Sequence, residues 1–271
     1  MATRTLASAR NYYLAQRRLS ALALRAARRA RTVRKAAEET ARYQMAAAAL
    51  AASFVASQAS EQGLDPAPVA PISPPAWAGL TSAGGVLLDY LSAASTPDQR
   101  ALRAVQQVVD AGRSAHGVAT AATPSLAGHI RYLNPPSCAR CAILAGRFYR
   151  YSEGFERHTN CDCVMVAVGE DVDPNLIGDP MQAWRDGQIL NSRIDKETGE
   201  RIFSPGFTQA QQKALDKGAN MAKLVNLGRG SGIKVPGRGL KGGRLTPDAI
   251  FQINTDRNAA LSQLRQWGYI R

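Results

Sequence analysis

Four cysteines and a histidine of this sequence have the spacing of a metal site. The pattern is Cys138-x2-Cys141, followed by His158-x2-Cys161-x-Cys163. A C-x2-C pair presents two thiolates to one ion from a tight turn, and a second pair from another segment completes a tetrahedral zinc site. We therefore predict one bound Zn²⁺. The second segment offers three candidates for two positions, and the sequence does not decide which of them is left out.

Two other interpretations of these residues compete with zinc. The cysteines would be ordinary buried thiols beside a surface histidine, or they would form a disulfide such as Cys138–Cys141 or Cys161–Cys163. All four cysteines fall between positions 138 and 163 of a 271-residue chain, and this clustering favours metal. Four thiolates within reach favour a closed structural site, because a catalytic zinc keeps one position open for water.

The charge of the chain predicts an anionic partner. The formal net charge is +13 and the isoelectric point is about 10.1. Phosphate neutralisation by Arg and Lys gives sequence-independent, salt-sensitive binding, and an acidic protein surface suits the same side chains. The alternative is a basic surface that is simply solvated. The residues predicted to contact nucleic acid or an acidic partner crowd the middle of the N-terminal helical region: Arg17, Arg18, Arg25, Arg28, Arg29, Arg31, Arg34 and Lys35.

Targeting and membrane signals are weak. Residues 1–36 contain no acid, which is also typical of a mitochondrial transit peptide, but the helical pattern continues past residue 36. The longest apolar run, 45–56, is shorter than the roughly 20 residues needed to span a bilayer. With no secretory signal and clustered cysteines, we expect a soluble protein of a reducing compartment without a membrane span.

The elements that position these residues are predicted to be mainly helical. Residues 5–62 lack proline and are predicted to form one or two long helices. Further helices are expected at 84–94, 97–121, 208–217 and from 246 onward. The helix expected at 97–121 begins with Thr96 as N-cap and Pro97 in its first turn. Strands are expected at 148–151 and 164–168, with a helix-poor stretch at 171–206.

The predicted fold class is mainly α, with a small α+β zinc-binding core, long N-terminal helices and a helical C-terminus. Five segments follow from the composition along the chain. They are a basic helical arm (1–63), a proline-rich linker (64–78), a helical segment (79–123), the zinc-binding core (124–230), and a glycine-rich basic loop with C-terminal helices (231–271).

The cysteine motif also resembles a known family. The runs 138–149 and 157–163 are similar to the core of the phage Mu F-like head morphogenesis (minor capsid) proteins, above all those of actinobacterial tailed phages. Similarity continues downstream at 207–211, 218–226, 245–250 and 267–270. The resemblance covers roughly residues 125–271, and the Cys/His motif is its most specific part.

This resemblance implies a structural protein of low copy number in the phage head. It would act with the portal and with capsid and scaffold proteins, and its mixed α/β core would hold zinc. Its location would be the host cytoplasm during assembly, then the virion head interior or the portal vertex. The basic arm would contact packaged double-stranded DNA without sequence preference.

An enzymatic alternative is a capsid maturation protease. A protease needs a nucleophile with a base in reach, and Ser114/His116 and Ser125/His129 are the nearest such pairs in sequence. The sequence has no G-x-S-x-G or H-E-x-x-H motif. Surface or capping roles for both histidines are the simpler interpretation, so no catalytic residue is assigned.

A third hypothesis is a zinc-containing nucleic-acid-binding protein. Tyr149 and Tyr151, beside Arg147 and Arg150, have the chemistry to stack bases. The ligand spacing, however, does not fit the common DNA-reading finger. The glycine-rich stretch 228–243 lacks the ending of a phosphate-binding loop and is predicted to be a mobile basic loop.

Overall fold

A computed structural model describes most of the chain, in these ranges: 6–134, 136–151, 153, 163–173, 176, 179–194, 201–218, 220–226, 245, 247–254 and 256–270. The helices within them are α1 (Ala7–Arg29), α2 (Val33–Glu61), α3 (Leu87–Ser92), α4 (Pro97–Ala122), α5 (Ala139–Ile143), α6 (Pro180–Arg185), α7 (Gln209–Asp216), α8 (Met221–Asn226), α9 (Pro247–Ile253) and α10 (Arg257–Gln266). The strands are β1 (Gly128–Tyr132), β2 (Phe148–Arg150), β3 (Val164–Val168), β4 (Leu190–Ile194) and β5 (Arg201–Pro205). The prediction of a mainly helical protein is confirmed.

Helices α1 and α2 form an antiparallel pair that is closed by a carboxylate. Thr32 caps the start of α2, where its hydroxyl accepts from the Lys35 amide at 3.1 Å. At the far end, Glu61 accepts from the amides of Ala7 and Ser8 at 2.7 and 3.0 Å. An anion at a helix N-terminus satisfies otherwise unpaired N–H groups and opposes the helix dipole. The end of α2 therefore fixes the start of α1.

Helix α4 packs along both of these helices. The buried positions at their contacts are mostly alanine, which lets the helix backbones approach closely, and they include Ala48, Ala51, Ala111 and Ala115. As predicted, Thr96 caps α4, and its hydroxyl accepts from the Gln99 amide at 3.1 Å. Helices α1 and α2, which belong to the predicted basic arm, thus form a three-helix bundle with α4.

The proline-rich residues 64–78 run across the C-terminal part of the chain. The Val69 amide donates to the carbonyl of Ala122 at 2.7 Å, and the Ser73 amide donates to the carbonyl of Tyr269 at 2.8 Å. Trp77 is buried with its ring centroid 5.2 Å from that of Tyr269. The extended proline segment therefore joins the helical bundle to the end of the chain.

The central sheet has the strand order β2–β1–β3, with both neighbours antiparallel to β1. Sequence analysis predicts the two outer strands and misses the central one. Ile130 pairs with Phe148 on one side and with Val166 on the other. The two predicted strands are thus not adjacent to each other, since β1 lies between them.

The two faces of this sheet have different neighbours. Side chains alternate along a strand, so Ile130, Val164 and Val166 point into the main core with the helices. The opposite face carries Tyr149 and Met165 and packs in a separate buried cluster with three cysteines. The sheet therefore separates the helical bundle from the sulfur-containing part of the chain.

The outer edge of β3 is covered by two glutamines of α2. Gln58 accepts from the Ala167 amide through Oε1 at 2.9 Å, and Gln62 donates to the Ala167 carbonyl at 2.7 Å. An uncovered strand edge offers unpaired backbone groups to other chains. These amide side chains satisfy the hydrogen-bonding groups of Ala167 at this edge and fix β3 against the bundle.

The stretch predicted to be helix-poor contains elements that the sequence pattern did not indicate. Strands β4 and β5 form an antiparallel pair, and the short helix α6 precedes them. The predicted helix at 208–217 is confirmed as α7, which begins with a capping box between Thr208 and Gln211. The glycine-rich segment 228–243 lies wholly within 227–244, outside the described residues.

One glycine is required by the sheet. A Cβ at Gly128 would overlap the carbonyl oxygen of Tyr149 on the neighbouring strand, which cannot move without breaking the β1–β2 pairing. We expect Gly128→Ala to lower the free energy of unfolding by about 1–3 kcal/mol, measured by chemical denaturation.

The matched control is Gly117→Ala in α4, whose Cβ would meet Phe251 at an ordinary 3.6 Å. It should be neutral or stabilising by up to about 1 kcal/mol. Equal stability of the two variants would contradict this role of Gly128.

Candidate metal centre and basic helical face

Three of the predicted metal ligands lie in one buried cluster. Cys138, Cys141 and Cys163 pack together with Tyr149 and Met165 on the face of the sheet that points away from the helical bundle. Cys141 and Cys163 are fully buried, and Cys138 is 9% exposed. The C-x2-C pair and the last cysteine of the motif therefore belong to one apolar cluster, although 21 residues lie between Cys141 and Cys163 in the sequence.

Helix α5 positions the first two sulfurs. Cys138 is its N-cap, and the Cys138 sulfur accepts from the Cys141 amide at 3.4 Å. The same short helix turns Ala139 and Ala142 to the other side, where they pack against Ile189 and neighbouring apolar side chains of the β4–β5 and α7–α8 region. Helix α5 is thus held between the sheet and the following part of the chain.

The separation of the two sulfurs suits metal ligands. The Cys138 and Cys141 Sγ atoms are 3.4 Å apart. A disulfide bond is about 2.05 Å long, whereas two thiolates on one tetrahedral zinc, each about 2.3 Å from the ion, are about 3.8 Å apart. The observed distance excludes a disulfide, and it is the hydrogen-bond contact of two thiols. Their chemistry suits two of the four ligands of a Zn²⁺.

The remaining candidates, His158 and Cys161, lie outside the described residues. Within the described ranges, which include Cys138, Cys141 and Cys163, no group of three or more His, Cys, Asp or Glu side chains is placed to hold a metal ion. The zinc and its full ligand set therefore stay a prediction.

A buried arginine that the sequence analysis missed lies against the cysteine cluster. Arg131, on the central strand, donates from Nη1 to the Cys163 sulfur at 3.3 Å and is only 3% exposed. No sequence signal indicated it, because the strand that carries it was not predicted.

The eight basic residues predicted to contact a partner are all exposed. They lie on α1, on α2 and in the short connection between these helices. Two are engaged in ion pairs, since Arg28 lies 3.0 Å from Asp98 and Lys35 lies 3.1 Å from Glu39. Within the described residues the other six form no ion pair: Arg17, Arg18, Arg25, Arg29, Arg31 and Arg34. Their charge is available to a partner.

The histidines of the protease hypothesis are not at the surface. His116 and His129 are both fully buried, so the expected surface or capping roles are wrong. Among the described residues neither forms a serine–histidine pair, because His116 is hydrogen-bonded to Gln58 and the Ser125 hydroxyl donates to the carbonyl of Asp65. This geometry offers no support for a serine nucleophile activated by either histidine.

The protonation of His116 follows from its hydrogen bonds. The Ala167 amide can only donate, so Gln58 must present its Oε1 oxygen there, and the same oxygen lies 3.0 Å from His116 Nε2. His116 therefore carries a proton on Nε2, and the pKa lowered by its burial keeps the ring neutral at pH 7. Burial lowers the pKa of His116 to about 3. Burial, followed by the charges of His116, Arg113 and Arg131, likewise holds the pKa of His129 well below its usual range.

The aromatic residues considered for base stacking contact other side chains of the protein. Tyr149 is buried, stacks on His129 with ring centroids 5.7 Å apart, and is covered by Arg147. Tyr151 lies edge-on to Phe251. This part of the nucleic-acid-binding hypothesis is therefore not supported, and the basic helical face is the better candidate for contact with phosphates.

Comparison with known families places the chain among phage proteins. A family model described as VG15 protein matches residues 2–186, which is more than half of the chain. The chain belongs to the VG15 protein family. This is a family of phage virion genes, so the chain is a phage virion-associated protein. The matched region includes the three-helix bundle, the central sheet and the whole cysteine motif.

No curated protein and no solved structure matches the sequence. None of the described helices is both long enough and apolar enough to cross a membrane.

The buried histidine predicts a loss of stability in acid. In the unfolded chain His116 has an ordinary pKa near 6.5, so below that pH the unfolded state binds a proton that the folded state excludes. With a folded pKa of about 3, the chain should lose about 2 kcal/mol between pH 7.5 and pH 5 through this one group. Denaturation of wild type and His116→Gln at both pH values measures the difference. Identical pH dependence in the two proteins would contradict a neutral, buried His116.

Proposed function

We propose that this VG15 family protein is a structural minor capsid protein of the Mu F-like head morphogenesis type. It acts at the portal vertex with portal, capsid and scaffold proteins, it contacts packaged double-stranded DNA, and Zn²⁺ stabilises its core. The observation that supports this most directly is the burial of Cys138, Cys141 and Cys163 in one cluster, because these three residues belong to the motif that resembles the Mu F-like proteins. Membership of a phage virion family supports the same setting.

In this proposal the metal is a structural cross-link. Cys138 and Cys141 hold the ion together with two of His158, Cys161 and Cys163. When bound, zinc supplies a strong connection between segments that otherwise share a small apolar cluster. Because α5 also packs against the β4–β5 region, the metal fixes that region to the sheet as well.

Metal analysis of the purified full chain tests this role. We expect one zinc per chain, and loss of that zinc in Cys138→Ala and in Cys141→Ala. Apparent zinc binding by small structural sites is on the order of 10 kcal/mol or more, so the region around α5 should lose cooperative unfolding and protection from hydrogen exchange. The three-helix bundle has buried clusters of its own and should remain protected.

The matched control is Arg140→Ala, which changes α5 between the two cysteines and removes no sulfur. It should keep the zinc and the protection of the region. A wild-type chain purified without metal, and unchanged by added zinc or by a chelator, would overturn the proposed zinc core.

The basic face is proposed to bind DNA phosphates. Helix α1 contains no acidic residue, and the arginines left without ion pairs there lie on its exposed side. Each phosphate contact made by Arg or Lys releases a counterion, so binding should weaken steeply with salt. Such contact needs no recognition of sequence, as packaged DNA requires.

A four-fold substitution tests this surface, with double-stranded DNA of random sequence as the probe. Replacing Arg17, Arg18, Arg25 and Arg29 with Gln should weaken binding at least tenfold. It should also reduce the slope of log K against log salt by about 3 to 4.

The matched control removes the same charge from exposed residues elsewhere, namely Arg185, Lys213, Lys217 and Arg265. Its binding should stay close to that of wild type. Equal losses in the two variants would show that only net charge matters, and the assignment to the helical face would be wrong.

A further inference from the structure

The strand pair β4–β5 has one covered edge and one open edge. At the start of β4, the Leu190 amide donates to the Ser137 carbonyl at 2.9 Å. On the opposite side, β5 pairs with β4 alone among the described strands. Two antiparallel strands are marginally stable by themselves in water, and an open strand edge offers its backbone groups to other chains. The outer edge of β5 is therefore a candidate docking surface.

The register of the pair decides which backbone groups of β5 face outward. The Gly206 amide donates to the Ile189 carbonyl at 3.0 Å, so the backbone groups of Ser204 and Ile202, at intervals of two residues, also face β4. Phe203 lies between these two positions, and its N–H and C=O groups point away from β4. Within the described part of the chain, neither group forms a hydrogen bond. An extended backbone is the structure that satisfies such a pattern.

The side chains in the middle of β5 are apolar and exposed. Ile202 is 38% exposed and Phe203 is 42% exposed, and as neighbours in a strand they point to opposite faces of the pair. Natural proteins protect open edges with charged residues, proline or bulges. Pro205 supplies such protection at the end of β5, whereas Ile202 and Phe203 do not. The middle of this edge is thus suited to pairing with an added strand.

An open groove of about 690 Å³ lies between α6, the β4–β5 pair and α7, and it reaches Pro205. Phe203 and Pro205 are two residues apart, so their side chains lie on the same face of β5. An added strand would therefore direct alternate side chains toward the groove. The apolar residues that line it are Met181, Trp184, Leu190, Pro205, Phe207 and Leu215.

We propose that the outer edge of β5 is a docking site for an extended, largely apolar segment of another protein of the phage particle, which adds to β4–β5 as a third strand. Backbone hydrogen bonds to an edge strand supply affinity, and the side chains that enter an adjacent groove supply specificity. This inference rests on the proposed structural role in the phage head and names a surface for a protein partner. It does not depend on zinc or on DNA.

Two features favour a different protein over a second copy of this chain as the occupant. The net charge of +13 makes copies of the chain repel each other. In addition, an antiparallel pairing of two β5 strands centred on Phe203 would place Arg201 of each copy opposite Pro205 of the other. Proline has no N–H to donate, so the Arg201 carbonyl would have no partner in that dimer. A segment without proline at this position satisfies the carbonyl.

Photocrosslinking in phage particles tests the proposal, with the full chain expressed in the host during infection. The probe is p-benzoylphenylalanine in place of Phe203. We expect it to crosslink to one apolar segment of another particle protein, mapped by mass spectrometry. The matched control carries the same probe in place of Leu102, which is 50% exposed on α4. Crosslinks to a second copy of this chain, or no more crosslinking than the control gives to that segment, would overturn the proposal.

Substitution of Phe203 tests the backbone contact directly. Phe203→Pro removes the outward N–H and leaves the groups that pair with β4, so the purified variant should fold as wild type does. We expect the amount of this chain per particle to fall about tenfold or more. The matched control Phe203→Tyr keeps the N–H and the ring and should match wild type.

A second variant decides if Phe203→Pro does not fold. Phe203→Lys keeps every backbone group and places a charge on the edge, which opposes an added apolar strand. It should lower the amount of the chain per particle in the same direction. A wild-type amount of Phe203→Lys in the particle would overturn the proposal.

The outcomes separate this inference from the proposed function. A wild-type chain that is absent from purified particles would contradict the structural role in the head and remove this inference with it. A wild-type chain that is present, with the Phe203 variants retained equally and no specific crosslink from position 203, would leave that role intact and overturn the docking site alone.

Discussion

The burial of both faces and one edge of the three-stranded sheet is the constraint on which the rest of the structure depends. A sheet this small is not stable by itself, so it needs an apolar cover on each side. Helices α1, α2 and α4 supply one cover, and the cysteine cluster with α5 supplies the other. Gln58 and Gln62 close the outer edge of β3. The central strand lies between its two neighbours, and its side chains alternate between these two covers.

Those buried polar groups connect the bundle to the sulfur-bearing face. Gln58 uses one oxygen for both the Ala167 amide and His116, so the position of α4 and the edge of the sheet depend on the same side chain. On the other face, Arg131 reaches Cys163. Buried groups of this kind are costly unless every partner is in place, so they favour one arrangement of helices and strands over near alternatives.

Local signals in the sequence predicted the helices well. Thr96 and Pro97 define the start of α4, and the capping box defines the start of α7, because caps act through residues a few positions away. Residues 128–132 gave no such signal, since the strand is short and its alternating His129 and Arg131 are buried only through contacts distant in sequence. The spacing of the motif predicted that Cys138, Cys141 and Cys163 belong to one part of the fold. Arg131, which lies beside Cys163, was not predicted, because the sequence did not indicate the strand that carries it.

Helix α1 has an inner side that packs in the bundle and an outer side that carries the basic residues. The inner side of α1 buries small residues such as Ala9, Ala23 and Ala27, so its folding does not depend on the arginines outside. Like charges four residues apart, as at Arg25 and Arg29, repel each other and slightly weaken the helix. A surface needed only for solubility would place acids among these positions to remove that repulsion. Their absence throughout α1 is the ground for the proposal that a partner neutralises this charge, since phosphates spaced along DNA suit arginines spaced along a helix.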